Sequence, residues 1–246
     1  MRIFRRMEHW VRNQTKRLGP IIYAGNRVFC PICNRTYRKF RSAGRGLHRR
    51  ENAVCYTCKA RERDRLVHRF LCQRHAELSC PGLNLLHIAP DPSLSHMLDE
   101  LASGGRITAD LVRRDVNVRL DICQLPFSNA SFRAIYCSHV LQDLPDDECA
   151  LKEMFRVLKD DGWALVLVPL HGRTSHEWET KGLHASKFDA PGTVRSYGSD
   201  IEDKFANNGF CVERITVDQL FTEMESIFCM LDDETVGGVY LLTKPN

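Results

Sequence analysis

The chain has 246 residues, 43% of them apolar and 27% charged, the balance of a soluble globular protein with one large domain or two small ones. This composition excludes disorder, collagen and coiled coil, and no apolar stretch is long enough to cross a bilayer. The net charge of +4 divides unevenly: residues 1–74 carry 20 Lys and Arg against 4 Asp and Glu, whereas residues 75–246 carry 15 against 27. Two electrostatically different modules follow, the basic one meeting either an anionic partner such as nucleic acid or the acidic body of its own chain. The amino terminus lacks the apolar centre of a secretory signal, so a cytoplasmic location is expected.

Residues 1–28 read as a basic amphipathic helix with its linker. Ile3, Met7, Trp10 and Val11 recur at helical spacing among arginines. Such a helix suits packing on its own protein, a membrane surface or nucleic acid. Residues 29–60 hold two C-x-x-C pairs, Cys30-Pro31-Ile32-Cys33 and Cys55-Tyr56-Thr57-Cys58, with 21 residues between them. That is the spacing of a zinc ribbon. Four thiolates fill a tetrahedral shell and leave no open position, so the site reads as structural Zn2+ held by Cys30, Cys33, Cys55 and Cys58. The Arg- and Gly-rich intervening segment can form a hairpin but has no core of its own, so metal binding supplies its folding free energy. The other seven cysteines lack ligand spacing and read as free thiols or small core residues.

Residues 61–80 read as a linking helix, part of a helical pattern over 59–78. Leu66, Phe70 and Leu71 form its apolar stripe, and Arg61, Arg63, Arg65, Arg69 and Arg74 lie mostly on other faces. Pro81-Gly82 ends it. From residue 81 to 246 strands and helices alternate. Strands are expected at 83–89, 106–109, 117–120, 134–138, 163–168, 210–217 and 238–243. Helices are expected at 92–101, with Asp91 as N-cap and Pro92 in the first turn, at 146–158, stopped by Gly162, and in a segment ending at 205–209. This alternation predicts an α/β body with a mostly parallel sheet, which binds ligands beyond the C-terminal strand ends. Asp91, Asp110 and Asp121 follow the first three strands in turn. An acid after the second strand suits the two hydroxyls of a ribose, and Asp121 with Ile122 suits the amino edge and face of an adenine.

These residues resemble class I S-adenosylmethionine-dependent methyltransferases, in particular a subgroup with an N-terminal CxxC…CxxC module. The resemblance runs through Val54-Cys55-Tyr56-Thr57-Cys58-Lys59-Ala60-Arg61-Glu62-Arg63-Asp64-Arg65-Leu66 and Leu85-Leu86-His87-Ile88-Ala89-Pro90-Asp91. It continues through Asp121-Ile122-Cys123-Gln124-Leu125-Pro126-Phe127, through Ser138-His139-Val140-Leu141-Gln142-Asp143-Leu144-Pro145-Asp146 and through Glu153 to Trp163. It implies a Rossmann-like seven-stranded sheet with a reversed final hairpin and S-adenosyl-L-methionine as cofactor. The methyl donor would lie over His87, Ala89, Pro90 and Asp91, with ribose at Asp110, adenine near Asp121 and Ile122, and Ser138 and His139 below the methionine. The D-x-G-x-G turn of the wider superfamily is replaced by Ala89-Pro90-Asp91, which argues against an ordinary dinucleotide-binding site. The subgroup's Glu-His after the fourth strand is Gln142-Asp143 here, and its later Asp-His is Gly192-Thr193. Asp64 and Arg133 also depart from its pattern. The departures gather on the acceptor side, which implies a different acceptor or lost turnover.

Transfer to an oxygen or nitrogen acceptor needs alignment, exclusion of water and, where the acceptor starts protonated, a base. The candidate bases are His139, Asp143, His171 and His176. The long segment 171–198 reads as a lid, with Glu177, Trp178, Arg195 and Tyr197 as acceptor contacts. Three functions stay open: methylation of a small molecule or saccharide, methylation of RNA or protein gripped by the basic module, and a non-catalytic scaffold on the same fold. The basic module offers Phe29, Tyr37, Phe40 and Tyr56 but no clear row of aromatic side chains for stacking bases.

Overall fold

The computed structural model describes residues 18–44, 49–177 and 193–245. The expected helix at the amino terminus lies outside these, except for its last residues. Strand β1 (Ala24–Cys30) pairs antiparallel with β2 (Arg35–Tyr37), and the turn between them holds the first cysteine pair. Strand β3 (Arg41–Ala43) pairs with β4 (Arg50–Val54), and the second cysteine pair follows β4. The segment therefore forms parts of two hairpins rather than one. It also has a small core, contrary to the expectation of none: Val28, Tyr37, Phe40 and Tyr56 are buried together. Tyr56 stacks on Tyr23 with ring centroids 4.7 Å apart. Burial of Tyr37, Phe40 and Tyr56 makes these rings core and not a platform for bases.

The linking helix begins later than expected, as α1 (Glu62–Gln73), and breaks at Arg74 before α2 (His75–Leu78). Its apolar stripe is buried as Leu66, Val67, Phe70 and Leu71. The body continues with β5 (Asn84–Ile88), then a 3-10 turn at Pro92–Leu94 capped by Asp91, then α3 (Ser95–Leu101). Next come β6 (Gly105–Asp110), β7 (Val118–Arg119), β8 (Phe132–Ser138), α4 (Asp147–Val157), β9 (Leu158–Val168) and the short pair β10 (His176–Glu177) and β11 (Arg195–Ser196). The chain ends with α5 (Ile201–Asn207), β12 (Cys211–Ile215), α6 (Val217–Leu220), α7 (Glu223–Cys229), α8 (Asp233–Val236) and β13 (Gly238–Thr243). Sequence periodicity missed α6 to α8, because each spans only one or two turns.

Gly162 does not stop α4. The helix ends at Val157, and Gly162 sits inside β9. A Cβ there would approach the Arg133 carbonyl oxygen to 2.8 Å, so the neighbouring strand β8 is what requires glycine.

The large sheet runs β12-β13-β9-β8-β5-β6-β7. Strands β7, β6, β5, β8 and β9 are mutually parallel, and β13 is antiparallel to both of its neighbours. The strand order reverses at β5, between β6 and β8, and ligands bind at such a switch point in open α/β sheets. Alternate residues of β9 feed two apolar layers: Trp163, Leu165 and Leu167 face α1, α3 and the α6–α8 segment, and Ala164, Val166 and Val168 face α4 and α5. The cysteine module docks on the first layer. Phe29 stacks on Phe228 at 5.7 Å, and fully buried Arg65 donates to the carbonyls of Ala53, Ala60 and Met230.

Candidate active site and metal centre

The four sulfurs of Cys30, Cys33, Cys55 and Cys58 lie within 4.8 Å of one another. Cys30 and Cys58 are 3.5 Å apart, and Cys33 and Cys55 are 3.6 Å apart. Zinc–sulfur bonds of about 2.3 Å in a tetrahedron put sulfurs about 3.8 Å apart, so the donor set fits that geometry. The backbone turns the same way after each pair: Asn34 and Lys59, the residues after Cys33 and Cys58, both hold φ in the left-handed region, at 51° and 67°. The second turn is braced by a hydrogen bond from Lys59 to the Tyr56 carbonyl.

The three strand-end acids cap their own turns. Asp91 Oδ1 accepts from Ser93 N at 3.1 Å, Asp110 Oδ1 from Val112 N and Arg113 N at 2.8 Å each, and Asp121 Oδ1 from Cys123 N at 2.9 Å. Each bond uses one oxygen, so capping leaves the second carboxylate oxygen for another donor. Ala89, where the wider superfamily has glycine, holds φ at 48° and donates to the Ala109 carbonyl. Non-glycine residues in this conformation carry backbone strain, and strain of this kind gathers at functional sites. Pro90 accepts from Arg113, tying this turn to the loop after β6. Ile122 is buried beside them, and Ser138 closes β8 half-exposed.

His87 stands apart from this rim. It is fully buried, meets Tyr136 edge to face at 5.0 Å, and accepts at Nδ1 from Arg106 at 3.0 Å. Burial, reinforced by Arg106, pushes its pKa down to about 3. With no exposed surface, it supports the sheet beneath the rim.

On the other side of the switch point a cleft opens at the ends of β8 and β9. Arg50, Arg63, His139, Pro169, His171, Glu234 and Gly237 are among the residues that line it. Its free volume of about 30 Å3 holds a water or two. His139 is a second strained residue, with φ at 56°. Burial holds its imidazole well below the ordinary histidine range, and the guanidiniums of Arg63, Arg61 and Arg50 add to the effect. Its Nε2 is buried without a hydrogen-bond partner among the described residues. Gln142 donates to the His139 carbonyl at 2.7 Å and so braces the strained turn.

The remaining acceptor-side residues lie elsewhere. Asp143 is exposed and accepts from Thr193 Oγ1 at 3.1 Å, so two departures from the subgroup pattern touch each other. His176 is exposed on β10, paired with Ser196, away from the cleft lining. Arg195 and Tyr197, expected as acceptor contacts, are buried in a polar network. Tyr197 donates to Asp147 Oδ2 at 2.6 Å, Lys204 donates to both Asp147 oxygens, and Arg195 lies 3.0 Å from Asp147 Oδ2. Arg195 also donates to Glu177 at 3.1 Å, which fixes β11 against β10. Trp178 lies outside the described residues. Sequence reasoning missed Arg63, whose helix was read as turning its arginines away from the core. The available signal was four successive charged residues, Glu62-Arg63-Asp64-Arg65, at the start of a helix that feeds the first strand; all four are buried.

Residues 77–166 match the family model of the methyltransferase domain. The sheet order and the reversed final hairpin agree with that match. The fold is the one that S-adenosylmethionine-dependent methyltransferases use. No curated protein matches this sequence. Among solved structures, the chain is similar to the complex of the Haloferax volcanii Trm112 methyltransferase activator with a methyltransferase, at 12% identity over 72% of this chain and 90% of that one, TM-score 0.48. It is also similar to YcgJ of Bacillus subtilis, at 16% identity over 73% and 100%, TM-score 0.44. A third similar structure is a SAM-dependent methyltransferase from Aquifex aeolicus, at 9% identity over 71% and 87%, TM-score 0.42. Among the described residues no helix is long and apolar enough to cross a membrane.

Proposed function

We propose that the chain transfers a methyl group from S-adenosylmethionine to an oxygen or nitrogen acceptor on a small molecule or saccharide unit. The observation that carries this reading is the division at the switch point. Strand-end carboxylates rim the β5–β7 side, and an imidazole-lined cleft rims the β8–β9 side. Asp110 would accept from the ribose hydroxyls, Asp121 and Ile122 would meet the adenine, and Ala89, Pro90, Asp91 and Ser138 would border the methionine. The bound cofactor supplies an electrophilic methyl on a sulfonium. The chain's own residues align the acceptor in line with it and keep water out. His139, whose imidazole stays neutral, orients the acceptor and is a poor base near neutral pH. His171 is the cleft imidazole that would take a proton, and Asp143 and His176 have no part in the step. The four-cysteine cluster would hold a structural zinc ion.

Calorimetric titration of the zinc-loaded chain with S-adenosylhomocysteine tests this. Binding in the micromolar range that weakens at least about tenfold in Asp110→Ala is the expected result. No binding by the wild-type chain would move the function to a scaffold on a methyltransferase fold.

One observation favours a second reading, methylation of RNA or protein. Arg27, Arg35, Arg38, Lys39, Arg49 and Lys59 are exposed on the cysteine module, where the exposed acid Glu51 is paired to Arg49. A polyanion held there would show affinity that falls steeply with salt.

A further inference from the structure

The cleft at the ends of β8 and β9 holds a buried cation, Arg63, and the exposed Glu234 shares its lining. Arg63 is 8% exposed, and its buried Nε has no hydrogen-bond partner among the described residues. Among the described residues it pairs with Asp64 at 3.8 Å, longer than a direct hydrogen bond. Asp64 is itself engaged, accepting from Arg61 N at 2.8 Å and Ser93 Oγ at 2.9 Å. Glu62, the other buried acid nearby, accepts from Arg50 through both of its oxygens. A buried guanidinium is strongly disfavoured unless its charge and its donors are answered. Beside it, His139 presents an Nε2 that is also buried and unpartnered. Arg61 feels the same guanidinium: Arg63 first, and then burial, lowers its pKa, while the lowered pKa of His139 is owed first to burial and then to Arg63.

We propose that Arg63 forms an anion subsite for the methyl acceptor, seating a carboxylate or phosphate group of that molecule with Nε2 of His139 as a second donor. The proposal rests on the methyltransferase reading and names its acceptor class: a small anionic molecule. A guanidinium offers two parallel donors to either anion, which a neutral hydroxyl cannot match in charge. The subsite lies at the ends of β8 and β9 and before β13, across the switch point from the carboxylate rim of β5 to β7. The proposal assigns the anion to the acceptor; the cofactor's own carboxylate, whose methionine Ser138 at the end of β8 would border, is the competing source.

The test titrates the zinc-loaded full chain, with and without saturating S-adenosylhomocysteine, using inorganic phosphate and malonate as probes. Wild type, Arg63→Gln, Arg63→Lys and the exposed control Lys152→Gln, on α4 and paired to Glu148, are compared, with zinc content and circular dichroism checked for each. Millimolar binding of at least one probe is expected, weakened about tenfold or more in Arg63→Gln, less in Arg63→Lys, and unchanged in Lys152→Gln. Affinity for S-adenosylhomocysteine should stay within about threefold in both Arg63 variants. If Arg63→Gln does not fold, Arg63→Lys carries the comparison, and probe affinity equal to wild type in it overturns the proposal. The proposal also falls if neither probe binds wild type, or if Arg63→Gln leaves probe affinity intact. A loss of S-adenosylhomocysteine affinity in step with the probe overturns it too, by assigning the guanidinium to the cofactor carboxylate. Failure of the methyltransferase reading is separate: wild type would not bind S-adenosylhomocysteine, while the titration without it still reports on Arg63.

Discussion

The cysteine module and the α/β body are held together by different physics. The body buries two continuous apolar layers, one on each face of a seven-stranded sheet. The module buries Val28, Tyr37, Phe40, Tyr56 and Ala60 together with two of its own candidate metal ligands, Cys30 and Cys55. A core that small cannot outweigh the conformational entropy of ordering two hairpins, whereas the body's core is of ordinary size for its length. The module is thus a conditional structure resting on a self-sufficient one. Its contact with the body matters because Arg50 and Arg63 reach the cleft from the junction between the two.

Metal removal should give the largest effect and breaks the comparison most directly. Structural zinc in small modules contributes on the order of 10–16 kcal/mol of binding free energy coupled to folding. Treating the protein with a strong chelator, or replacing Cys30 and Cys55 by serine, should abolish amide-exchange protection in 24–60 and leave β5, β8 and β9 protected. Joint loss of protection in the sheet would show that the body depends on the module, and the contrast drawn above would fail.

Arg65 joins the two regions. Its guanidinium donates to Ala53 and Ala60 of the module side and to Met230 beyond α7, and lies 4.6 Å over the Phe40 ring. Arg65→Ala leaves buried carbonyls without donors and opens a cavity. The expected loss is about 3 kcal/mol in denaturant midpoint stability. Arg65→Met, which refills the volume but supplies no donors, should fall between wild type and alanine. A loss under about 0.5 kcal/mol in Arg65→Ala would mean that water replaces all three bonds and that the junction is loose.

The body was largely legible in the sequence because 163–168 in β9 and 238–243 in β13 are apolar runs too short for helices, and Asp91 announces its turn as an N-cap. The cysteine cluster was legible because spacing alone constrains four ligands. The rim acids were legible through their places after successive strands. What sequence could not reveal depends on three-dimensional pairing. Arg195 and Tyr197 look like acceptor contacts until Asp147, some fifty residues away, is found between them. Gly162 looks like a helix stop until the Arg133 carbonyl is found against it. Arg63 looks like a solvent-facing charge until the start of α1 is seen buried against the strand ends.

The body has its own conditional element, and it responds to protons where the module responds to metal. His87 is buried and neutral, with its pKa lowered to about 3 by desolvation and Arg106. The unfolded chain takes up a proton near pH 6.5, but the folded chain refuses it until near pH 3. The contribution of neutral His87 is therefore fully present above pH 6.5 and is lost progressively as pH falls between those values. Between pH 6.5 and 5 this amounts to about 2 kcal/mol. His87→Phe keeps a ring against Tyr136, and Arg106 keeps its bond to Asp99 at 2.6 Å. His139, also held neutral by burial, contributes equally to both proteins, so the difference between the two stability–pH curves isolates His87. The gap should close by about 2 kcal/mol over this window, with no zinc release. Parallel curves would mean that His87 is protonated in the folded body through a change in its surroundings. The body's acid sensitivity would then have to come from another group, with the buried ion pairs around Asp147 the next to test.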